Sequence, residues 1–446
     1  MLLSAQASAQ AEVRPAEVQP EVVQSEKDGR QDETRRLGIH DVPSENPAQA
    51  EATRRAVEEG AGFGPEVVIE RIEISGNTRT ADRQIIRTLL VREGERLRVG
   101  DPRLVASRFR LMALGYFVEV KLGLSRGSRR GAVILTIVVV ERGTLILQRL
   151  YWGASEATPW WAGLDVADSN VFGTGIELGV AAAWAGPASS SSVETGGRQS
   201  ALRIHYENPT IGDLAIGAGA RIDYTDASEP FACVEERYCA FRYQRLAAEG
   251  GISFDLTRTT SLKVGARIDS FAADVPTGAS DVHLLPGQSI ALVPSFGVER
   301  DTRVDPVLPW AGDHMGVAIA GGEGLFGDYP FLRVEAHYRR WFPLRRQHVI
   351  SIRGAAGATV GQTPRPERFY QGDWNMLLPQ RALDLVVSTR RSASIVGNGS
   401  DAPAYGTAAA LLAVEYSYRL FRQKRLVYGG DLYVGVGVFA VGDATA

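Results

Sequence analysis

Cysteine is almost missing from this chain: 446 residues hold only Cys233 and Cys239, both inside "CVEERYC". So close a spacing in a loop-like context fits one local disulfide made in an oxidising compartment, or else two idle thiols. A zinc site would need a second pair of ligands, and none lies near. Long apolar runs are also missing. Stretches such as "AVILTIVVV" (Ala132 to Val140) fall far short of the roughly 20 residues a membrane-spanning helix needs. Nor does charge of one sign dominate, with Lys+Arg 49 against Asp+Glu 52, so nothing in the bulk charge suggests a nucleic-acid partner or an acidic tail. The six histidines are scattered, and no Gly-x-Ser-x-Gly, His-Glu-x-x-His or Gly-x-x-x-x-Gly-Lys occurs. We therefore expect no enzyme, no cofactor and no metal.

What is present falls into distinct textures. Residues 1–11, "MLLSAQASAQA", end in the small-residue pattern of a secretory signal without its basic start, and read either as a signal-peptide remnant or as a meaningless Ala/Ser-rich start. Residues 12–66 are rich in Ala, Glu, Gln, Arg and Pro, too poor in aromatic and aliphatic bulk to offset ordering entropy, and are expected to form a disordered tether. From Val67 the pattern becomes structured. "VVIERIEISGN" alternates like a strand and stops at Gly76-Asn77. "TADRQIIRTLLVREG" predicts a helix capped by Thr80, and "GDPRLVASRFRLMALGYF" a second with Asp101 as N-cap and Pro102 in its first turn. "VEVKLGLS" and "AVILTIVVVERG" complete a β-α-α-β-β unit over 67–143.

After Leu145 the helical period vanishes. In "LKVGARID", Leu262, Val264, Ala266 and Ile268 point one way, and Lys263, Arg267 and Asp269 the other. "ALRIHYEN" and "FLRVEAHYRRWF" repeat the scheme. Many such strands in succession, with no helices to cover them, predict an antiparallel barrel with a lipid-facing exterior and a polar lumen over 144–446. Short turns ("NPTIGD", "PLRRQ") alternate with long loops ("GPASSSSVETGGRQ", the cysteine loop), and Trp160, Trp161, Trp341 and Phe342 are candidates for interfacial aromatics. About thirteen strands can be counted. Since bacterial barrels close with an even number, either C-terminal strands are missing or the count is off.

Residues 67–143, with "ISGN", "LGYF" and "VVVERG" at their turns, resemble a polypeptide-transport-associated (POTRA) domain. Adding "DVADSNVFGTG" (Asp165 to Gly175), "ERDTRVDPVLPWAG" (Glu299 to Gly312) and "RFYQGD" (Arg368 to Asp373), the chain resembles the BamA/TamA-type outer-membrane assembly and translocation family. The resemblance implies a periplasmic POTRA module before a sixteen-stranded outer-membrane barrel. It also implies that "PERFYQGDWNMLLPQRALDL", within the loop 362–405, folds back into the lumen. Arg368, Phe369, Tyr370, Gly372 and Asp373 would form that loop's motif, and Arg381 its lumen arginine, paired with Glu415 and Asp431 on the next two strands. Ala382 and Leu383 stand where the family has glycine and an aromatic, which puts the tip's tight turn in doubt. Arg390 and Arg391 are rival lumen arginines.

The implied function is assembly, insertion or translocation of outer-membrane proteins by strand addition. The expected partners are unfolded outer-membrane or secreted clients, membrane lipids, and periplasmic chaperones or accessory lipoproteins. A passive pore or surface-antigen barrel, and two-partner-type secretion of a dedicated client, are the alternatives.

Overall fold

The computed structural model describes residues 65–443 apart from 99, 155–157, 188–197, 212–213, 232–238, 277–278, 280–281, 324–326, 346, 375–380, 387–404 and 423–428. The leader-like residues 1–11, the tether up to residue 64, Cys233, Arg390 and Arg391 lie outside the described residues, as does the side chain of Cys239.

The first unit runs β1 (Glu66–Ser75), α1 (Asp82–Thr88), β2 (Arg96–Arg98), α2 (Pro102–Ala113), β3 (Phe117–Arg126) and β4 (Ala132–Glu141). Its sheet has the order β2-β1-β4-β3, with β1 and β4 parallel. Ile69, Ile85, Leu89, Leu111, Phe117, Leu135 and Ile137 are wholly buried between helices and sheet. Asp101 caps α2 by accepting the Arg103 amide at 2.9 Å, and Gly115 takes the positive φ that ends it.

Three expectations need correction here. The tether reading extends one residue too far, because Glu66 already pairs with Arg98. The short strand β2 is an additional element, formed because the chain after α1 swings back along β1. Helix α1 stops at Thr88, and Thr80 is not its cap: Ala81 holds the N-cap position with no side-chain bond. Thr80 is engaged elsewhere, as described below.

The second unit is a 13-stranded antiparallel sheet. It comprises β5 (Leu145–Gly153), β6 (Trp161–Val171), β7 (Ile176–Ala185), β8 (Gln199–Asn208), β9 (Ile216–Phe231), β10 (Cys239–Asp255), β11 (Thr260–Asp274), β12 (Gly287–Asp301), β13 (Gly312–Gly322), β14 (Phe331–Arg345) and β15 (His348–Gly361). Four two-residue strands follow inside one long connection: β16 (Phe369–Tyr370), β17 (Arg381–Ala382), β18 (Leu385–Val386) and β19 (Tyr405–Gly406). The wall resumes with β20 (Ala408–Arg422) and β21 (Gly429–Gly442). Each strand bonds to the next in sequence, β15 pairing with β20 across the long connection.

The strands alternate as their sequences require. Leu202, Ile204, Val264, Ile268, Leu332 and Val334 are exposed on the outer face, whereas Asp223, Arg245 and Asp269 are buried inside. Trp341 takes an inward position of β14 in line with Arg339, and is apolar there. Its ring is buried against Val304, Trp310 and Val349 together with Ala106 of α2, so it belongs to the domain interface rather than to a lipid-facing girdle.

The first unit sits on one rim of the second. Asn170 donates to the Thr80 hydroxyl at 2.9 Å, the Ala81 amide to the Gly173 carbonyl at 3.0 Å, and Gln84 to the Thr174 carbonyl at 2.6 Å. Arg87 reaches Asp255 at 2.7 Å, and Arg110 donates to the Asp301 carbonyl at 2.6 Å. Phe109 and Leu90 pack on the same apolar patch as Trp310.

"DVADSNVFGTG" and "ERDTRVDPVLPWAG" are thus the turns that receive the helical domain. In the second, Asp301 grips Arg303 through both of its oxygens, at 2.9 and 2.7 Å, while Asp305 accepts from the amides of Val307 and Leu308. Such self-bonding holds a ten-residue connection rigid enough to serve as a seat.

The segment 78–80 that meets the rim is itself organised by Glu141. Its carboxylate accepts from the amides of Thr78 (3.1 Å), Arg79 (3.0 Å) and Thr80 (2.6 Å) and from the Thr78 hydroxyl (2.8 Å). Burial pushes this carboxyl up, but the hydrogen bonds from Thr80, Thr78 and Arg79 outweigh it and bring the pKa from 4.5 down to about 2. A depressed folded value means stability that is fully present above pH 4.5 and lost as pH falls towards 2. Acid titration of the intact protein should therefore loosen this domain through that window, and Glu141→Gln should flatten the response. Thermal unfolding followed as a function of pH checks both; an unchanged acid profile in Glu141→Gln would exclude Glu141 as the titrating group.

Candidate functional site: the luminal loop

The connection from β15 to β20 leaves the wall through Gly361, whose φ of +92° and close approach to the Pro330 carbonyl leave no room for a Cβ. It then turns inward. A 3₁₀ turn at Arg365–Glu367 is followed by β16, which pairs antiparallel with β19 (Phe369 with Gly406, Tyr370 with Tyr405). Further on, β17 and β18 form a minimal hairpin, Arg381 opposite Val386 and Ala382 opposite Leu385.

The doubt about the tip concerned the wrong residue. Ala382 lies in the strand, and the positive φ values fall on Leu383 (+47°) and Asp384 (+69°), the two central residues of the turn. For non-glycine residues each such angle costs on the order of 1 kcal/mol, and tertiary contacts offset that cost. Ala382, Leu383 and Leu385 are buried among Ala181, Ala183, Phe241, Tyr243 and Phe271 on the inner wall. Asp384 lies 3.3 Å from both Arg203 of β8 and Arg245 of β10.

Arg381 stacks its guanidinium over the Tyr370 ring at 4.6 Å and over Tyr405 at 5.7 Å, and donates to the Tyr405 hydroxyl at 3.3 Å. Its charge partner is Asp373 at 3.4 Å, where Nε makes no hydrogen bond. The expected pairing with Glu415 is therefore corrected. Glu415 does face inward, between Val414 and Tyr416 on the outer face, but it is bound by Arg339 of β14, two strands away on the same stretch of wall. The hairpin holds Arg381 on the far side of the lumen, beside β8–β10. Asp431 sits in β21 opposite Arg419; its side chain lies outside the described residues.

The motif residues find distinct places. Phe369 is buried beneath the Arg333 guanidinium at 4.9 Å, in space left by the absent side chain of Gly357 on β15. Tyr370 is buried against Tyr405, ring centres 5.0 Å apart. Gly372 is buried in the 3₁₀ turn Gln371–Trp374, which presents Asp373 to Arg381. Arg368 donates to the Thr363 carbonyl and reaches Asp443, each at 3.4 Å.

Arg365, which sequence reasoning missed, is more deeply buried than Arg245, Arg267 or Arg381. Its Nε donates to Glu229 at 2.9 Å, both side chains being 3% exposed, and its plane lies 4.0 Å over the Tyr405 ring and 5.1 Å over Phe241. The Tyr405 hydroxyl donates to the same carboxylate. Glu367, two residues on, is held by Arg267 and by Arg333 at 3.3 Å. A signal was available: β9 alternation turns Glu229 inward beside Asp223 and Thr225, and an unpaired inward carboxylate demands a cation. Between these groups remains a polar cavity of about 270 Å³. Chemically the arrangement offers no nucleophile with its base; it offers a strap fastened at two ends, by Glu229 and by the arginines around Asp384.

A strand-helix domain seated on the turns of a large antiparallel barrel, with one loop strapped inside the wall, defines the class: a POTRA-bearing outer-membrane barrel. The Omp85 superfamily domain model matches residues 170–440, and the POTRA model, described as surface antigen variable number repeat, matches 67–142; the chain belongs to the Omp85 superfamily. Its barrel lies in the outer membrane and its POTRA domain in the periplasm. Similar curated proteins are the outer membrane protein assembly factors BamA of Nitratidesulfovibrio vulgaris, 22% identical over 74% of this chain and 40% of the relative, and of Neorickettsia risticii, 29% identical over 59% and 33%. The chain thus spans well under half the length of these relatives. Among solved structures, CdiB from Acinetobacter baumannii superposes with a TM-score of 0.51 at 12% identity, covering 96% of this chain and 79% of that one, a likeness of fold alone.

Proposed function

We propose that this chain receives extended segments of unfolded outer-membrane or secreted proteins on its POTRA sheet and hands them to the barrel wall, without bond-making chemistry. The observation that carries the reading is the placement of β3. It is the longer of the two edge strands, ten residues against three in β2, in a sheet whose domain is fastened to the barrel rim by Thr80, Arg87 and Arg110. An outer strand presents a row of backbone donors and acceptors to which an extended client adds as one more strand. Rigid seating keeps that edge at a fixed distance from the membrane.

The relatives named as assembly factors support this reading. The strapped luminal loop supports it over a passive pore, because an unobstructed lumen would not need buried cations to hold a segment across it. Lipids contact the exposed apolar face, and chaperones or accessory lipoproteins deliver clients to the POTRA side. Depletion of the protein followed by quantification of other outer-membrane barrels tests the function: we expect several barrel proteins to fall together. Unchanged levels of all of them, with loss of a single exported protein, would replace assembly by secretion of a dedicated client.

A further inference from the structure

Three inward-facing residues on neighbouring strands converge on the wall: Glu299 of β12, His314 of β13 and His337 of β14. One ligand atom from each lies within 4.8 Å of the other two. Glu299 Oε1 is 2.6 Å from His314 Nε2, and the two imidazole centroids are 4.9 Å apart at 43°. We propose that this triad is a binding site for a divalent first-row transition metal such as Zn²⁺, clipping three strands of the wall close to the seat of the POTRA domain. The site is independent of the assembly reading and adds to it.

Two imidazoles and one carboxylate are the donor set zinc accepts while leaving a fourth position open, here to the water of the lumen. Bonds of about 2.0–2.2 Å to each donor require only small side-chain adjustments from the positions observed. The register explains how the donors meet. Glu299 is opposite Gly316, and Gly316 is opposite His337, so the three form one row across β12, β13 and β14 with an empty middle. A Cβ on Gly316 would stand 2.7 Å from Cε1 of His337. The glycine therefore lets that ring lean across the central strand towards Glu299, while His314 enters from two residues along the same strand.

Lys263 of β11 binds the other oxygen of Glu299. It occupies the place of an outer-shell partner that orients the carboxylate and leaves Oε1 for the metal. A salt bridge alone needs neither histidine. Nor does a His–Glu hydrogen bond need the second imidazole or the missing side chain at 316.

The test uses the untagged, chelator-treated full chain refolded in detergent and titrated with Zn²⁺ by calorimetry, with Co²⁺ absorbance as a second probe. We expect one Zn²⁺ per chain and visible Co²⁺ bands of a low-symmetry nitrogen–oxygen site. Losing an outer-shell partner typically weakens a metal site roughly 10–100-fold. His314→Ala and His337→Ala, which remove ligands outright, should weaken it by at least that much. Gly316→Ala keeps all three donors and should also weaken binding, whereas His348→Ala should leave it unchanged. X-ray absorption of the Zn²⁺-loaded unmodified protein, which needs no variant to fold, should show a first shell with two imidazoles. Absence of stoichiometric binding, a shell without two imidazoles, or binding indifferent to both His314→Ala and His337→Ala would overturn the proposal.

Discussion

Arg365→Ala should yield a barrel that melts well below the unmodified protein and conducts more in planar bilayers. The substitution removes the guanidinium from Glu229 while the carboxylate stays buried, leaving it, among the described residues, the Tyr405 hydroxyl and the more distant Tyr243 hydroxyl (3.4 Å) as donors. Breaking a buried pair from one side costs about 3–5 kcal/mol. It also detaches the loop at its first anchor, so the strap is free to leave the lumen. Arg381→Ala should do less, because Arg381 is more exposed, its partner Asp373 is half exposed, and its two ring contacts are worth about 0.5–2 kcal/mol each.

A double replacement, Arg365→Met with Glu229→Leu, separates pairing from packing. Exchanging a buried ion pair for apolar side chains of similar volume is often near neutral. Melting temperature should therefore recover in the double variant. Equal melting and equal conductance for Arg365→Ala and the unmodified chain would sink the idea that this pair fastens the loop.

Gly173→Ala should detach the POTRA domain from the rim. Gly173 has a φ of +72°, and a Cβ there would stand 1.8 Å from the backbone carbonyl oxygen of Arg79. That atom belongs to the segment clamped by Glu141, so neither side can yield without breaking the bond from Ala81 to Gly173 and disturbing Asn170 on Thr80. Spin-label distances between α2 and the barrel should be narrow in the unmodified protein and broad in this variant, and assembly of client barrels should fall with them. Gly94→Ala is the matched control. It has a similar φ of +80° with nothing within 4 Å of the added methyl, so it costs backbone strain without touching the interface. A narrow distance distribution in Gly173→Ala would mean that other contacts, Arg87 on Asp255 among them, suffice to dock the domain.

Much of this architecture was legible beforehand. Alternation in "LKVGARID" and "ALRIHYEN" assigned inner and outer faces, because a strand's side-chain period of two leaves only that choice. Asp101 before Pro102 marked the start of α2, since capping is a local interaction. Glu415 was rightly turned inward, and its partner was wrongly chosen. Thr80 was read as a cap because its residue type fits one; its true partners, Asn170 and Glu141, are 90 and 61 positions away.

The sequence by itself determined the two units, the face each strand shows to lipid or lumen, and the long inward-going connection, because all of these follow from local period, turn chemistry and length. Only the tertiary structure decided who meets whom. On a curved wall many inward charges lie within reach of one another, and the path of the loop selects among them: Arg365 for Glu229, Asp384 for Arg203 and Arg245, Arg339 for Glu415. The same holds for Glu299, His314 and His337, which strand register brings together and sequence spacing does not. Distances across a lumen depend on barrel curvature and register, and neither is written in the residues of one strand.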